Sequence, residues 1–238
     1  MLDKKSFYIN GEWVSPIEPR NFKVIDPSNE EVCAEISLGG KKDIDKAVSS
    51  AKKAFNSWAY SSKEERLDLL EKLYVVYKKR WAEMAKLITL EMGAPMKFST
   101  EMQAATGASH IKSFKNILKD FKFERDLGEE KNNQKLLYEP KGVCALITPW
   151  NWPINQVNLK VIPALASACT VVLKPSEIAP LSSMLLAEMI DEVKFPAGVF
   201  NLVNGDGEIT GDALTSHPDI DMISFTGSTR AGALISQN

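Results

Sequence analysis

After Pro140 the chain repeats one pattern four times, a short apolar run followed by a stretch with helical spacing. The runs are GVCALITPW (142–150), TVVLKPS (170–176), GVFNLVNG (198–205) and DMISFTGS (221–228). Short, nearly continuous apolar segments rich in Val, Ile, Leu and Phe are the signature of strands buried on both faces, and the helical stretches supply the crossovers that parallel pairing requires. The pattern predicts an α/β fold with a parallel sheet and helices on both faces. Such a sheet binds its ligand outside the carboxyl ends of the strands. The informative residues are therefore Thr148-Pro149-Trp150-Asn151, Lys174-Pro175-Ser176-Glu177, Gly205-Asp206-Gly207 and Thr226-Gly227-Ser228.

The first half reads differently. FYINGEWV and FKVIDPSNEEVCAEI alternate polar and apolar residues around turn signals at Asn10-Gly11 and Pro27-Ser28-Asn29, which predicts short antiparallel hairpins packed as a flank. From Asp43, read as an N-cap, Ile44, Ala47, Val48, Ala51, Ala54 and Phe55 fall at helical spacing. Ser62 and Glu65 resemble a capping box, and the stripe through Leu70, Tyr77, Trp81, Met84 and Ile88 predicts one helix of about eight turns ending at Gly93 and Pro95. A further helix is expected from about Ser99 to Leu118, with a less clean face. Residues 121–138 are charged, carry Gly128 and Asn132-Asn133, and read as a protruding hairpin.

With 238 residues the chain is sized for one large domain, or one domain with an appendage. Lys and Arg number 29 against 31 Asp and Glu, and a net charge of -2 supplies no field to hold a polyanion, so nucleic acid is excluded as an expected partner. Val161–Leu173, the longest apolar stretch, is interrupted by Pro163 and falls short of the roughly 20 residues of a membrane span. The N-terminal segment MLDKKSFYINGEW has no apolar signal core, and a soluble cytoplasmic protein is expected. Cys33, Cys144 and Cys169 form no CxxC, and His110 and His217 fit no metal spacing, so neither a disulfide framework nor a metal is expected. Tyr74 and Lys78 reproduce a Tyr-x-x-x-Lys spacing, but they sit in a stripe of core leucines and no glycine-rich turn occurs in residues 1–40 apart from Gly39-Gly40; the match is read as coincidence.

The strand ends themselves suggest chemistry. Gly205, Gly207 and Gly211 give G-x-G-x-x-x-G, one residue longer than the dinucleotide fingerprint; alone it fits a tight turn equally well. Gly227-Ser228-Thr229 opens the next helix, where backbone N–H groups and a hydroxyl suit a pyrophosphate. Lys174 and Glu177 could hold ribose hydroxyls as donor and acceptor, or form a plain ion pair. A glutamate there disfavours a 2′-phosphate by charge repulsion. Asn151, between Trp150 and Trp152, is a neutral amide donor suited to an oxyanion, or a turn-forming residue.

LITPWNWPINQ, TVVLKPSE, FNLVNGDGEITG and ISFTGSTRAG resemble, in order and spacing, the signature segments of the NAD(P)-dependent aldehyde dehydrogenase superfamily. FYINGEWV, VIDPSNEEVCAEI, IDKAVSSAKKAFNSW and LLYEPKGVCALITPWN fit as well, so the resemblance covers the whole chain. It implies a Rossmann-like sheet and three regions: hairpins and helices of the cofactor domain in 1–120, an oligomerisation hairpin at 121–139, and a Rossmann-like core at 140–238. It also implies that Asn151 is the oxyanion-hole amide and that Thr148, Pro149 and Trp150 line the cofactor path. Lys174 and Glu177 would bind the adenosine ribose, with Gly207, Gly211, Phe225, Gly227 and Ser228 around adenine and pyrophosphate. The implied cofactor is NAD, with NADP possible, and the implied substrate is an aldehyde.

In that family a cysteine thiolate attacks the aldehyde and a glutamate activates the water that releases the acid. They lie in GQxC-like and ELGGK-like segments, neither of which occurs in these 238 residues. The three cysteines present sit in contexts expected to be unreactive. The expectation is therefore roughly the N-terminal half of such an enzyme, without the last strand of its sheet or the catalytic domain, and inactive alone. Other readings are a dinucleotide-binding or oligomer-partner remnant, one half of a split enzyme completed by a C-terminal chain, or the partly unfolded product of a damaged gene.

Overall fold

The computed structural model describes residues 1–127 and 134–237. Its centre is a six-stranded sheet whose strands run, from one edge to the other, 222–225, 143–147, 170–174, 200–202, 7–9 and 12–14. The four runs named above become β8 (Val143–Ile147), β9 (Thr170–Lys174), β10 (Phe200–Leu202) and β11 (Met222–Phe225), all mutually parallel. In register, Cys144 lies between Val171 and Met222, and Ile147 between Lys174 and Phe225. Strand-to-strand alternation divides the core in two. Val143, Ala145, Ile147 and Val172 pack with Ile44, Ala47, Val48 and Ala51 of α1 (Lys41–Trp58). Cys144, Leu146, Val171 and Leu173 pack on the opposite side, with α6 (Pro153–Ala166) and α7 (Leu181–Val193). Helices thus cover both faces of an α/β sheet, as the apolar runs require.

The N-terminal strands depart from the expected flank of antiparallel hairpins. β2 (Phe7–Ile9) and β3 (Glu12–Val14) form a hairpin, but β2 also pairs antiparallel with β10, so the hairpin extends the main sheet. Phe7, Tyr8 and Ile9 are all buried. Both faces of β2 are covered because it lies inside the sheet, which no local alternation reveals. β1 (Leu2–Lys4) runs parallel to β5 (Glu31–Ser37), whose other neighbour β4 (Asn21–Asp26) is antiparallel; this three-stranded sheet stands apart from the main one.

Three helical boundaries also differ. Gly40, not Asp43, is the N-cap of α1; the Asp43 carboxylate reaches back to accept from the Gly40 N–H at 2.9 Å and from Ile17 N–H at 2.9 Å. The predicted eight-turn helix is two, α2 (Lys63–Lys79) and α3 (Trp81–Met92), broken at Arg80. There the guanidinium bonds Glu83 at 2.7 Å and Glu188 of α7 at 2.7 Å, a tertiary contact that an uninterrupted stripe of apolar residues conceals. Ser62 accepts from the Glu65 N–H at 3.1 Å and caps α2. After a short turn, α4 (Met96–Phe98), the chain widens into a π-helical segment, Ser99–Gln103, before α5 (Ala104–Asp120). The extra residue per turn rotates the buried face, which is why its apolar spacing is ragged.

β6 (Glu124–Asp126) and β7 (Lys135–Leu137) form a separate two-stranded ribbon over 121–138; Gly128 and Asn132-Asn133 lie outside the described residues. Beyond β10 comes a second π-helical turn, Gly207–Gly211, then α8 (Asp212–Thr215), and α9 (Thr229–Ile235) follows β11. Among the described residues no helix is long and apolar enough to cross a membrane.

Candidate functional site

The carboxyl ends of β8, β9, β10 and β11 frame a cleft of about 550 Å³. Of the residues singled out in the sequence, Lys174, Gly207, Gly211, Phe225 and Ser228 line it. Ile147, Glu208, Asp212 and Arg230 join them. Ile147 ends an apolar strand and the three charged residues resemble solvated surface, so nothing in the sequence marked them.

Lys174 is the chemical centre of the cleft floor. Its side chain is buried at the end of β9, where Nζ donates to the Gly205 carbonyl at 2.6 Å and the Pro175 carbonyl at 3.1 Å. Burial lowers its pKa, while the carboxylates of Glu177 and Asp206 oppose that shift. An ammonium has three N–H donors. Two meet carbonyls, and Glu177 Oε2 stands 3.7 Å away as the ion-pair partner. The ammonium and the Glu177 carboxylate thus stand side by side, an arrangement suited to vicinal hydroxyls, although Glu177 does not itself line the cleft.

The turn after β10 forms one wall. Asp206 caps it, accepting from the N–H groups of Ile209 at 2.9 Å and Thr210 at 3.1 Å. Gly205 is required by packing, since a Cβ there would lie 2.0 Å from the Thr210 hydroxyl. Gly207 is not: a Cβ would meet nothing within 4 Å, and the residue does not have positive φ. Nothing in the chain itself demands glycine at 207, whereas close approach of an outside group to its backbone would. At the opposite wall Ser228 is the N-cap of α9, its hydroxyl accepting from the Ala231 N–H at 3.2 Å. Gly227 lies flat against the Phe225 ring, where a Cβ would come within 2.4 Å of the ring edge.

Thr148, Pro149, Trp150 and Asn151 leave β8 at the same edge of the sheet but do not line this cleft. Thr148 is buried with its hydroxyl lacking a hydrogen-bond partner among the described residues. Asn151 and Trp150 are exposed, and it is Trp152 that packs edge-on against a ring, that of Phe98 with centroids 5.7 Å apart.

The cysteines stand elsewhere. Cys33 is half-buried, its pKa raised by burial and the Asp26 carboxylate. Cys144 and Cys169 are both buried in the core, Cys144 Sγ donating to the Gly142 carbonyl at 3.9 Å, and the neighbouring Cys169 with burial holds the Cys144 thiol far above its usual range. Cys169 departs from expectation, because the neighbouring Cys144 and the hydroxyl of Ser167, which donates to its sulfur at 3.6 Å, pull its thiol down. It is only 4% exposed, so no substrate reaches it. His110 bonds Asn155 at 2.7 Å between α5 and α6, and Lys78 lies over the Tyr74 ring at 5.7 Å, both structural arrangements.

A model described as the aldehyde dehydrogenase family matches residues 13–238. A 3-succinoylsemialdehyde-pyridine dehydrogenase from Pseudomonas sp is 50% identical over 237 residues, 99% of this chain and 49% of that protein. The crystal structure of an aldehyde dehydrogenase from Bartonella henselae superposes with a TM-score of 0.97 at 57% identity, covering 100% of this chain and 50% of that one. An aldehyde dehydrogenase C variant from Pseudomonas syringae, complexed with NAD+ and octanal, gives 0.95 at 45% identity over 98% of this chain and 47% of its own. The chain spans about half the length of the curated relatives it matches.

Proposed function

The chain belongs to the aldehyde dehydrogenase family, and from that premise we propose that it carries the cofactor-binding half of an enzyme oxidising an aldehyde to a carboxylic acid with NAD+. The observation that carries this reading is Gly207, a glycine with no steric or conformational need inside the chain, opening on the cleft where the buried Lys174 ammonium is held beside the Glu177 carboxylate. Lys174 and Glu177 hold the adenosine ribose. Gly207, Gly211, Phe225, Gly227 and Ser228 receive adenine and pyrophosphate, with backbone N–H groups of the two turns facing the anion. Thr148, Pro149 and Trp150 follow the cofactor toward Asn151, whose exposed amide donates to the carbonyl oxygen as it gains charge. When bound, the nicotinamide supplies the hydride acceptor.

Glu177 favours NAD+ over NADP+, since a carboxylate 3.7 Å from the ribose-binding ammonium repels a 2′-phosphate. NAD+ complexes of relatives, among them that from Pseudomonas syringae and a betaine aldehyde dehydrogenase from Staphylococcus aureus 33% identical to this chain, support the same choice. The regions 1–120, 121–139 and 140–238 act as sheet support, oligomer contact and cofactor core. The ribbon at 121–138 carries a cluster of Phe121, Phe123 and Tyr138 rings suited to contact with a second copy.

Calorimetric titration tests the reading. Saturable NAD+ binding to the 238-residue chain, at least tenfold tighter than NADP+, is the expected result. No heat with either nucleotide would remove the cofactor assignment, and preference for NADP+ would remove the role given to Glu177.

A further inference from the structure

The turn that walls the cleft is held by a residue from the far end of the sequence. Arg20 stands between β3 and β4, outside every segment that marks the cofactor site. Its Nη1 donates to Asp206 Oδ2 at 2.7 Å and its Nη2 to the Gly39 carbonyl at 2.7 Å and to Thr210 Oγ1 at 3.3 Å. Asp206 uses its other oxygen, Oδ1, to cap Ile209 and Thr210, so one carboxylate joins the guanidinium to the first N–H groups of the turn. The Thr210 hydroxyl in turn donates to the same Gly39 carbonyl. Gly39 can come this close only as glycine, since a Cβ would lie 2.4 Å from Val203 at the end of β10. Its N–H also donates to the Asn204 carbonyl at 2.7 Å.

The turn is thus gripped from both sides. Lys174 holds Gly205 from the sheet, and Arg20 with Gly39 holds Asp206 and Thr210 from the N-terminal segment. Between these anchors lies Gly207, with open space before its backbone. Burial pushes the Asp206 carboxyl up, but the Ile209 and Thr210 amides and the Arg20 guanidinium outweigh it and bring it below its ordinary value, so the clamp is charged at neutral pH. A planar fork meeting a carboxylate, a carbonyl and a hydroxyl at once fixes orientation as well as distance, which a lysine's point charge does not.

We propose that Arg20 is a positioning residue for the dinucleotide, fixing the Asp206–Gly211 turn so that the Gly207 backbone is presented to the ligand. The role rests on the cofactor reading above, and a π-helical turn of five residues is too short to hold its own shape without such outside contacts.

The test compares Arg20→Met and Arg20→Lys with Arg80→Met, which removes a guanidinium making equally short bonds, to Glu83 and Glu188, away from the cleft. Amide hydrogen exchange without nucleotide reads the turn directly. Faster exchange at Ile209, Thr210 and Gly211 in Arg20→Met, absent in Arg80→Met, is expected. Calorimetry with NAD+ should show an affinity loss of about tenfold for Arg20→Met, partial recovery in Arg20→Lys, and none for Arg80→Met. Unchanged exchange at those amides, or equal affinity loss in the two Met variants, overturns the proposal. Should the unmodified chain bind no NAD+ while Arg20→Met still loosens the turn, the cofactor reading fails, and with it the ligand-presenting role; the clamp itself stands as a purely structural one.

Discussion

At the scale of single residues, Lys174 is the most demanding feature of the molecule. An ammonium removed from water is costly unless its donors are satisfied, and here two carbonyls and a nearby carboxylate share the task. Replacing it with Met keeps the aliphatic stem and removes the charge. The expected result of Lys174→Met is a loss of NAD+ affinity of tenfold or more by calorimetry, with a melting temperature within a few degrees of the unmodified chain. Relief of the ammonium's desolvation offsets two carbonyls left without a donor, each worth about 1–3 kcal/mol. A large drop in melting temperature with unchanged affinity would make Lys174 a structural residue. Lys174 was legible because it terminates a buried strand, where a charged residue is out of place unless used. Arg20 was not, because its partner Asp206 is 186 residues away and nothing local to either marks the pairing.

Elements show the same division between local and distant causes. Each of the four parallel strands lies inside one of the apolar runs read from the sequence, since burial on both faces writes itself as an unbroken apolar run, although the strands are shorter than the runs. The break at Arg80 and the widened turn at Ser99–Gln103 are settled by neighbours in space and were hidden. Helix α7 gives the sharpest case. Its N-cap Pro180 offers no side-chain acceptor, and the N–H groups of Leu181 and Ser182 instead donate to the two carboxylate oxygens of Glu91 on α3. Burial raises the Glu91 pKa from 4.5 to about 7, with the Ser182 and Leu181 bonds only partly opposing it. The sign follows: below 4.5 the group is protonated in both folded and unfolded chains, and its stabilising contribution is fully present. As pH rises toward 7 the unfolded chain releases the proton first and that contribution is lost, on the order of 3 kcal/mol in all. Glu91→Gln still offers an amide oxygen to α7 but does not titrate. Denaturant unfolding across that range should show a flatter stability profile in the variant, and parallel profiles would show that Glu91 is not what titrates.

For the whole molecule, the family and the α/β class were legible because ordered motifs span the chain, whereas the sheet order was not. The hairpin of β2 and β3 looked like an appendage and proved to extend the central sheet, because strand pairing across nearly 200 residues leaves no local trace. The same scale governs activity. Lys174 and Gly207 line the cleft, and Asn151 is exposed at the same edge of the sheet outside it, while the cysteines are half-buried or enclosed in the core. The 238-residue chain, given NAD+ and a panel of aliphatic and aromatic aldehydes, should therefore produce no reduced cofactor above a protein-free control. Turnover under those conditions would place a nucleophile within these residues and make each cysteine a target for replacement by serine.

The antiparallel pairing of β2 with β10 also sets an order of events during synthesis. Phe7 and Ile9 leave the ribosome some 190 residues before their partner strand at Phe200–Leu202 emerges. At the usual pace of translation, about 5–20 residues per second, that interval is on the order of ten seconds or more. Throughout it, an apolar strand can pair only with β3 and has no sheet to enter. The nascent chain thus carries an apolar segment without its sheet throughout that interval, a segment that a chaperone would have to cover until β10 is made.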